Sequence, residues 1–287
     1  MRKNFKLVSL FTVSAALAFG GMVVISTQDN DIATQTVEAS VQTKINLPKS
    51  AGYTKSNVLK ANTGKLRSVK KRLQKASMAG MKNNTFYDTN SNDDRVVDVT
   101  KLSAKDKAEI SKYALAVINS ARRQMSKKNW TYSKHAVRFA DVVARNYNKD
   151  GMSVWSLDHD VAGIKRAAKT CGLNHRVGQV YEDEAGLPIS DEFHSTTRTM
   201  KKLKEQIYFN VKQMLFGGYS GNDINKMSAY FEWEHAGDLL GLRSSNGYDA
   251  RTKQFGLSFS TLDGRKISVH MIGVAKRYIQ NYKKYNK

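Results

Sequence analysis

Cysteine is nearly missing from this 287-residue chain: Cys171 stands alone, so no disulfide can staple the fold from within. Its setting in RAAKTCGL reads as the end of a buried helical face, hence as a small core residue; a reactive thiol needs exposure and a base. No internal repeat is evident. The chain ends in RYIQNYKKYNK with no LPxTG sorting signal, and no cysteine lies near the N-terminus for lipid modification. If the protein is retained at a surface, charge or the N-terminus has to hold it.

Acidic residues are scarce. Against 47 Lys and Arg the chain sets 25 Asp and Glu, a net charge of +22. Such a surface is drawn to polyanions by long-range steering that salt weakens. Nucleic acid is not expected as a partner, because no aromatic-and-basic recognition motif accompanies the charge.

What is present begins with an export signal. Arg2, Lys3 and Lys6 precede an apolar run over residues 7–25, and Val37-Glu38-Ala39 forms a small-residue site of the kind signal peptidase reads. Cleavage after Ala39 is the favoured reading; a retained N-terminal membrane anchor is the alternative, since the run is long enough to span a bilayer. Residues 1–39 hold three basic and three acidic residues, so their removal leaves +22. For an exported protein the nearest polyanions are teichoic acids of the cell wall and anionic lipid headgroups.

Residues 40–100 are poor in large apolar side chains and rich in Lys, Asn, Ser and Thr, with twelve basic and four acidic residues. That composition predicts a basic, largely flexible segment, with a short helix around residues 65–79. The remainder, residues 101–287, suits one globular domain. Ser103 opens a helix in which Ile110, Ala114, Val117, Ala121 and Met125 recur at helical spacing. Ser133 caps a second, stopped by Gly151. A third covers residues 161–171, and a fourth runs over residues 199–216 with Leu203, Ile207, Val211, Met214 and Leu215 inward. The period then changes: residues 255–260 and 266–274 read as a hairpin about Asp263-Gly264. The fold class is α+β, with helices covering a small antiparallel sheet.

Three segments carry the candidate chemistry: SLDHD (156–160), VYEDEAG (180–186) and EWEHAGDLLG (232–241). In that order, with helices between them, they resemble the CAP superfamily of secreted proteins in its bacterial branch. The wording EDEAGLP, KQMLFGG and HAGDLLGL is most similar to the surface exclusion domain of Gram-positive cell-surface proteins. The likeness spans residues 106–274. It implies a three-layer αβα sandwich and one cleft shared by His159, Glu182 and His235. Asn210 stands where eukaryotic members carry a second glutamate, which puts a four-residue site in doubt, and Glu234 is placed to orient His235.

Two imidazoles and a carboxylate can hold a divalent ion such as zinc, with His159 and His235 as ligands, or shuttle protons. No cofactor is required by this reading. No Ser or Cys nucleophile accompanies the histidines, so the expectation leans away from an enzyme. It is a secreted or wall-associated binding module whose partners are teichoic acid, an anionic lipid surface or a protein on a partner cell. The alternative is a hydrolase of peptide or cell-wall material using His159, Glu182 and His235. Of the other histidines, His270 is expected on the polar face of its strand, His135 on a helix, and His175 and His194 in polar loops. Trp155 and Trp233 each lie within four residues of a candidate histidine and can wall the cleft, with core packing expected of at least one.

Overall fold

A computed structural model describes residues 40–156, 158–187, 196–218, 223–243, 251–262, 264 and 266–287. The expected signal over residues 1–39 and His194 lie outside the described residues. Among the described residues no helix is long and apolar enough to cross a membrane.

The helices begin and end where side chains satisfy their exposed backbone groups. In α3 (Ala104–Gln124) the Ser103 hydroxyl accepts from the Asp106 amide. In α4 (Lys134–Asp150) Ser133 does the same for Ala136, and Gly151 closes the helix at a left-handed φ of 66°. α5 (Val161–Thr170) is capped by Asp160, and α6 (Met200–Phe216) by Thr199, with Gly217 at φ 69° ending it. These caps supply the acceptors and the left-handed turns that helix termini require. A short helix, α7 (Glu234–Leu239), follows, and α8 (Tyr282–Tyr285) lies at the C-terminus.

Among the described residues six strands make two sheets. β1 (Val96–Asp98) pairs antiparallel with β4 (Thr197–Thr199). The larger sheet has the order β2-β5-β6-β3, built from β2 (Thr131–Tyr132), β3 (Glu182–Gly186), β5 (Gln254–Leu262) and β6 (Lys266–Val274). β5 and β6 form the expected hairpin, with Ser258 opposite His270, and β3 adds antiparallel to β6 at the sheet edge. The short β2–β5 pair is parallel, so this sheet is mixed.

Alternation along β6 assigns its two faces. Ile267, Val269 and Met271 join one core with α3, α6 and α7, whereas Ile272 and Val274 join a second with α4, α5 and Cys171. Helices thus cover both faces and the layers run α, β, α. Cys171 is fully buried, and burial pushes its thiol pKa up.

Residues 40–100 differ from the flexible segment that their composition predicts. The helix expected around residues 65–79 is there as α2 (Leu66–Asn83), but α1 (Lys55–Ala61) precedes it, and Ile45, Tyr53, Val58, Val69, Leu73 and Ala76 are buried in the first core. The apolar residues are few but aligned at helical spacing, and small residues let the helices approach closely: a Cβ on Gly80 would come within 2.4 Å of the Phe216 ring. Polar contacts lock the segment down. The Lys44 carbonyl accepts from Tyr208, the Ile45 amide donates to Ser120, and the buried Lys212 ammonium donates to the Met81 and Asn84 carbonyls at the end of α2. The folded body therefore includes residues 40–100 as well as residues from 101 onward.

Candidate functional site

The site is assembled around β3, the last strand of the larger sheet among the described residues. Glu182 and Glu184, two apart on that strand, project to the same face, toward α4 and the turn before α5. Glu182 is buried and fully engaged. Its Oε2 lies 2.7 Å from His159 Nδ1 and accepts from Tyr147 at 2.7 Å, while its Oε1 lies 2.7 Å from His270 Nδ1. His270 Nε2 is in turn 2.7 Å from the Ser260 hydroxyl. Tyr147 also meets Glu184 Oε2 at 3.2 Å and accepts the Asp160 amide, which ties the group to the start of α5.

The charges follow from this packing. Burial would push the Glu182 pKa up, but the hydrogen bonds and positive charge of His159 and His270 outweigh it and bring it down to about 2. His159 loses basicity to burial and regains more from Glu182 and Glu184, so its pKa is raised. Glu184, buried beside the Glu182 carboxylate, is pushed up to about 7. Tyr147 is raised by burial and the same two carboxylates.

His235 arrives from α7. Its Nδ1 lies 3.0 Å from Glu232 Oε2, and its backbone amide donates to Glu232 Oε1 at 3.1 Å. Burial disfavours the imidazolium, yet Glu232, Asp183 and Asp238 together raise its pKa to about 9. Asp183 projects from the opposite face of β3; burial and the neighbouring Asp238 push it up to about 8. Asp238 accepts from Lys253 at 2.6 Å, with both side chains 2% exposed.

A groove of about 330 Å³ runs between these groups, lined by Glu184, Asn210, Glu232, His235, Trp155 and Met214 among others. Asn210 donates from Nδ2 to the Gly186 carbonyl at 2.9 Å, so it braces the end of β3. Trp155 lies over Gly186, where a Cβ would come within 2.8 Å of the ring. Trp233 belongs to the core instead, donating to Ser77.

Of the residues singled out in the sequence, His235 and Asn210 line the groove directly. His159 stands beside the groove-lining Glu184, 3.9 Å from its Oε2, and Glu182 is buried behind both. Glu234 is placed differently from the expectation: it pairs with Arg243 at 2.7 Å on the exposed side of α7, and Glu232 orients His235. His270 also departs from expectation. It does face away from Val269 and Met271, but α4 covers that face, and the ring is fully buried against Tyr147 with centroids 4.4 Å apart. His135 sits on α4 against Tyr285, and His175 is exposed.

Donor atoms of His159, Glu182 and Glu184 lie within 4.8 Å of one another. Glu184 Oε1 is buried with no hydrogen-bond partner among the described residues. One imidazole and two carboxylates, one of them with an unpartnered oxygen, are ligand types that a divalent ion such as zinc takes, but His159 Nδ1 and both Glu182 oxygens are bonded to each other, Tyr147 and His270, so an ion would have to displace some of those bonds. His235, named with His159 as a ligand from the sequence, is not in this set.

Comparison with known proteins gives no matching family model and no matching curated protein. Among solved structures, the CAP domain of Enterococcal PrgA superposes with a TM-score of 0.54 at 22% identity, covering 84% of this chain and 89% of that one. The coverage is larger than residues 101–287 alone can supply, in agreement with α1 and α2 as part of the folded body. Two helical layers about a mixed four-stranded sheet, and this superposition along most of the chain, give the protein a CAP-like domain fold.

Proposed function

We propose that this chain is a secreted or surface-associated CAP-like protein of the surface-exclusion type, acting at the bacterial cell wall as a binding module without catalytic turnover. The supporting observation is the chemistry of the groove. Its described lining contains no hydroxyl or thiol nucleophile. The carboxylate partners of the imidazole within it raise its pKa to about 9 against the opposing effect of burial, which favours a positive N–H donor over a base. Trp155 and Met214 supply apolar walls, Glu232 and Glu184 supply acceptors, and Asn210 holds the β3 end rigid. Preformed apolar walls with a few fixed polar groups are what ligand pockets require.

The test is saturable binding. Soluble peptidoglycan fragments and unstructured peptides are titrated into the secreted protein, with tryptophan fluorescence as the readout and a Trp155→Phe variant to assign the signal. Saturation that weakens at least tenfold in His235→Ala supports the reading; identical titrations in parent and variant reject it.

The second reading is a metal-assisted hydrolase, favoured by the gathering of His159, Glu182 and Glu184. A divalent ion held there would supply a Lewis acid. In that case Tyr147 and His270 orient Glu182, while His235 donates a proton or a hydrogen bond from the facing side.

A further inference from the structure

Residues 40–87 contain eleven Lys and Arg and no Asp or Glu. All eleven basic residues are exposed, and among the described residues none of them forms an ion pair with a carboxylate. This excess is displayed on an ordered surface. α1 and α2 pack on each other and on the body of the domain, so their inner faces are fixed by Val58, Val69, Leu73 and Ala76 and their outer faces must carry the charge. On α2 the residues Arg67, Lys71 and Lys75 follow at i, i+4 and i+8, a row about 12 Å long at 1.5 Å per residue, with Lys70 and Arg72 flanking it. Lys60 lies in the last turn of α1, where its carbonyl accepts from the Lys65 amide just before α2. Arg72 is held in place, its aliphatic stem lying over Gly52.

We infer that this outer face of α1 and α2 is a docking surface for an extended phosphodiester polymer of the cell envelope, a polyol-phosphate chain. The inference concerns a surface separate from the groove and goes beyond the function proposed above. Charge complementarity is the first argument: a row of like charges repels itself and is relieved when a polyanion releases its counterions along it. The second is the shape of the patch. A row several charges long matches a repeating chain of phosphates and exceeds what a single phosphate needs. The third is the absence of an inserting face. The apolar side of α2 is already spent on the core, and Leu59 is the one large apolar side chain exposed on the described pair. A membrane-surface helix needs a free apolar face to bury in the lipid. The row also lacks the interleaved aromatic side chains on which nucleic-acid bases stack.

The experiment uses the secreted protein and a purified, delipidated glycerol-phosphate polymer. The row variant is Lys60→Gln, Arg67→Gln, Lys70→Gln, Lys71→Gln and Lys75→Gln together. A control variant removes five equally exposed charges elsewhere: Lys149, Lys165, Lys169, Lys276 and Lys283, each changed to Gln. Circular dichroism confirms that both keep the parent fold. The row variant is expected to bind at least tenfold more weakly. Its plot of log affinity against log salt should flatten by about 3.5, at about 0.7 for each of the five phosphates that are no longer neutralised. The control is expected to lose less than threefold, and His235→Ala to bind like the parent, which separates this surface from the groove. Equal losses in the row and control variants would mean diffuse attraction by net charge and overturn the proposal. So would tighter row-dependent binding to phosphatidylglycerol vesicles or to single-stranded DNA than to the polymer.

Discussion

Glu182 is the residue on which most of the site depends. It is a buried carboxylate with three polar side chains on two oxygens, and removing it strands His159, His270 and Tyr147 in a low-dielectric interior. Breaking a buried charged pair from one side costs about 3–5 kcal/mol. Glu182→Ala is therefore expected to lose about that much in denaturant unfolding, whereas Glu234→Ala, which breaks an exposed pair with Arg243, should lose under about 1 kcal/mol. Similar losses in the two variants would contradict the buried network. At this scale the sequence showed the segments better than the partners. Strand period places Glu184 beside Glu182, and Glu232 lies one helical turn before His235, but Glu234 is equally near in sequence and only the start of α7 decides between them. His270 was misplaced for a different reason. An alternating strand tells which residues share a face; it does not tell whether a helix covers the other one.

Among the elements, the helices with strong caps and periodic apolar faces, α3, α4 and α6, form where their residues predict. The hairpin of β5 and β6 does too, because strand period and an Asp-Gly turn agree there. The helix expected around residues 65–79 is α2, but α1 and the packing of both helices on the core escaped because composition averages over the helix circumference: charged residues dominate the count while a narrow row of Val, Leu, Ala and Gly does the packing. The structure therefore predicts that residues 40–99 cannot be deleted without loss of the domain. Leu73→Ala, a large-to-small change at a fully buried position, is expected to cost about 2–5 kcal/mol, read as a shifted denaturant midpoint with the slope kept. A truncated protein beginning at residue 100 that melts cooperatively at the parent temperature would contradict this. The short edge strand β3 was legible only as a motif, since Glu-Asp-Glu lacks the apolar alternation by which strands are recognised.

For the whole molecule, the buried acids and histidines make stability depend on pH in one direction over a wide range. Asp183 is raised from 3.8 to about 8, Glu184 from 4.5 to about 7 and His235 from 6.5 to about 9. In each case the folded state holds a proton that the unfolded chain has released, so stability falls as pH rises through the window between the two values. Glu182, lowered from 4.5 to about 2, has the opposite sign and costs stability as pH falls through that interval. The protein is expected to melt progressively lower from pH 5 to pH 9. Asp183→Asn keeps a donor toward Asp238 without a titrating proton, so it should flatten the decline and gain relative to the parent at pH 9. Calorimetric scans across pH 4–9 measure both; a melting temperature that rises from pH 5 to pH 9 would refute the assignment.

The central claim is that the groove lined by His235 and Glu184, with His159 beside it, binds without cleaving. It is tested most directly by turnover of purified peptidoglycan and wall peptides, with and without added zinc, by the parent and by a variant carrying both His159→Ala and His235→Ala. The account predicts no turnover above background in either protein under either condition. Reproducible cleavage by the parent that requires the metal and falls about 10²-fold or more in the double variant, the loss expected when acid–base groups are removed, would contradict it and establish the hydrolase instead.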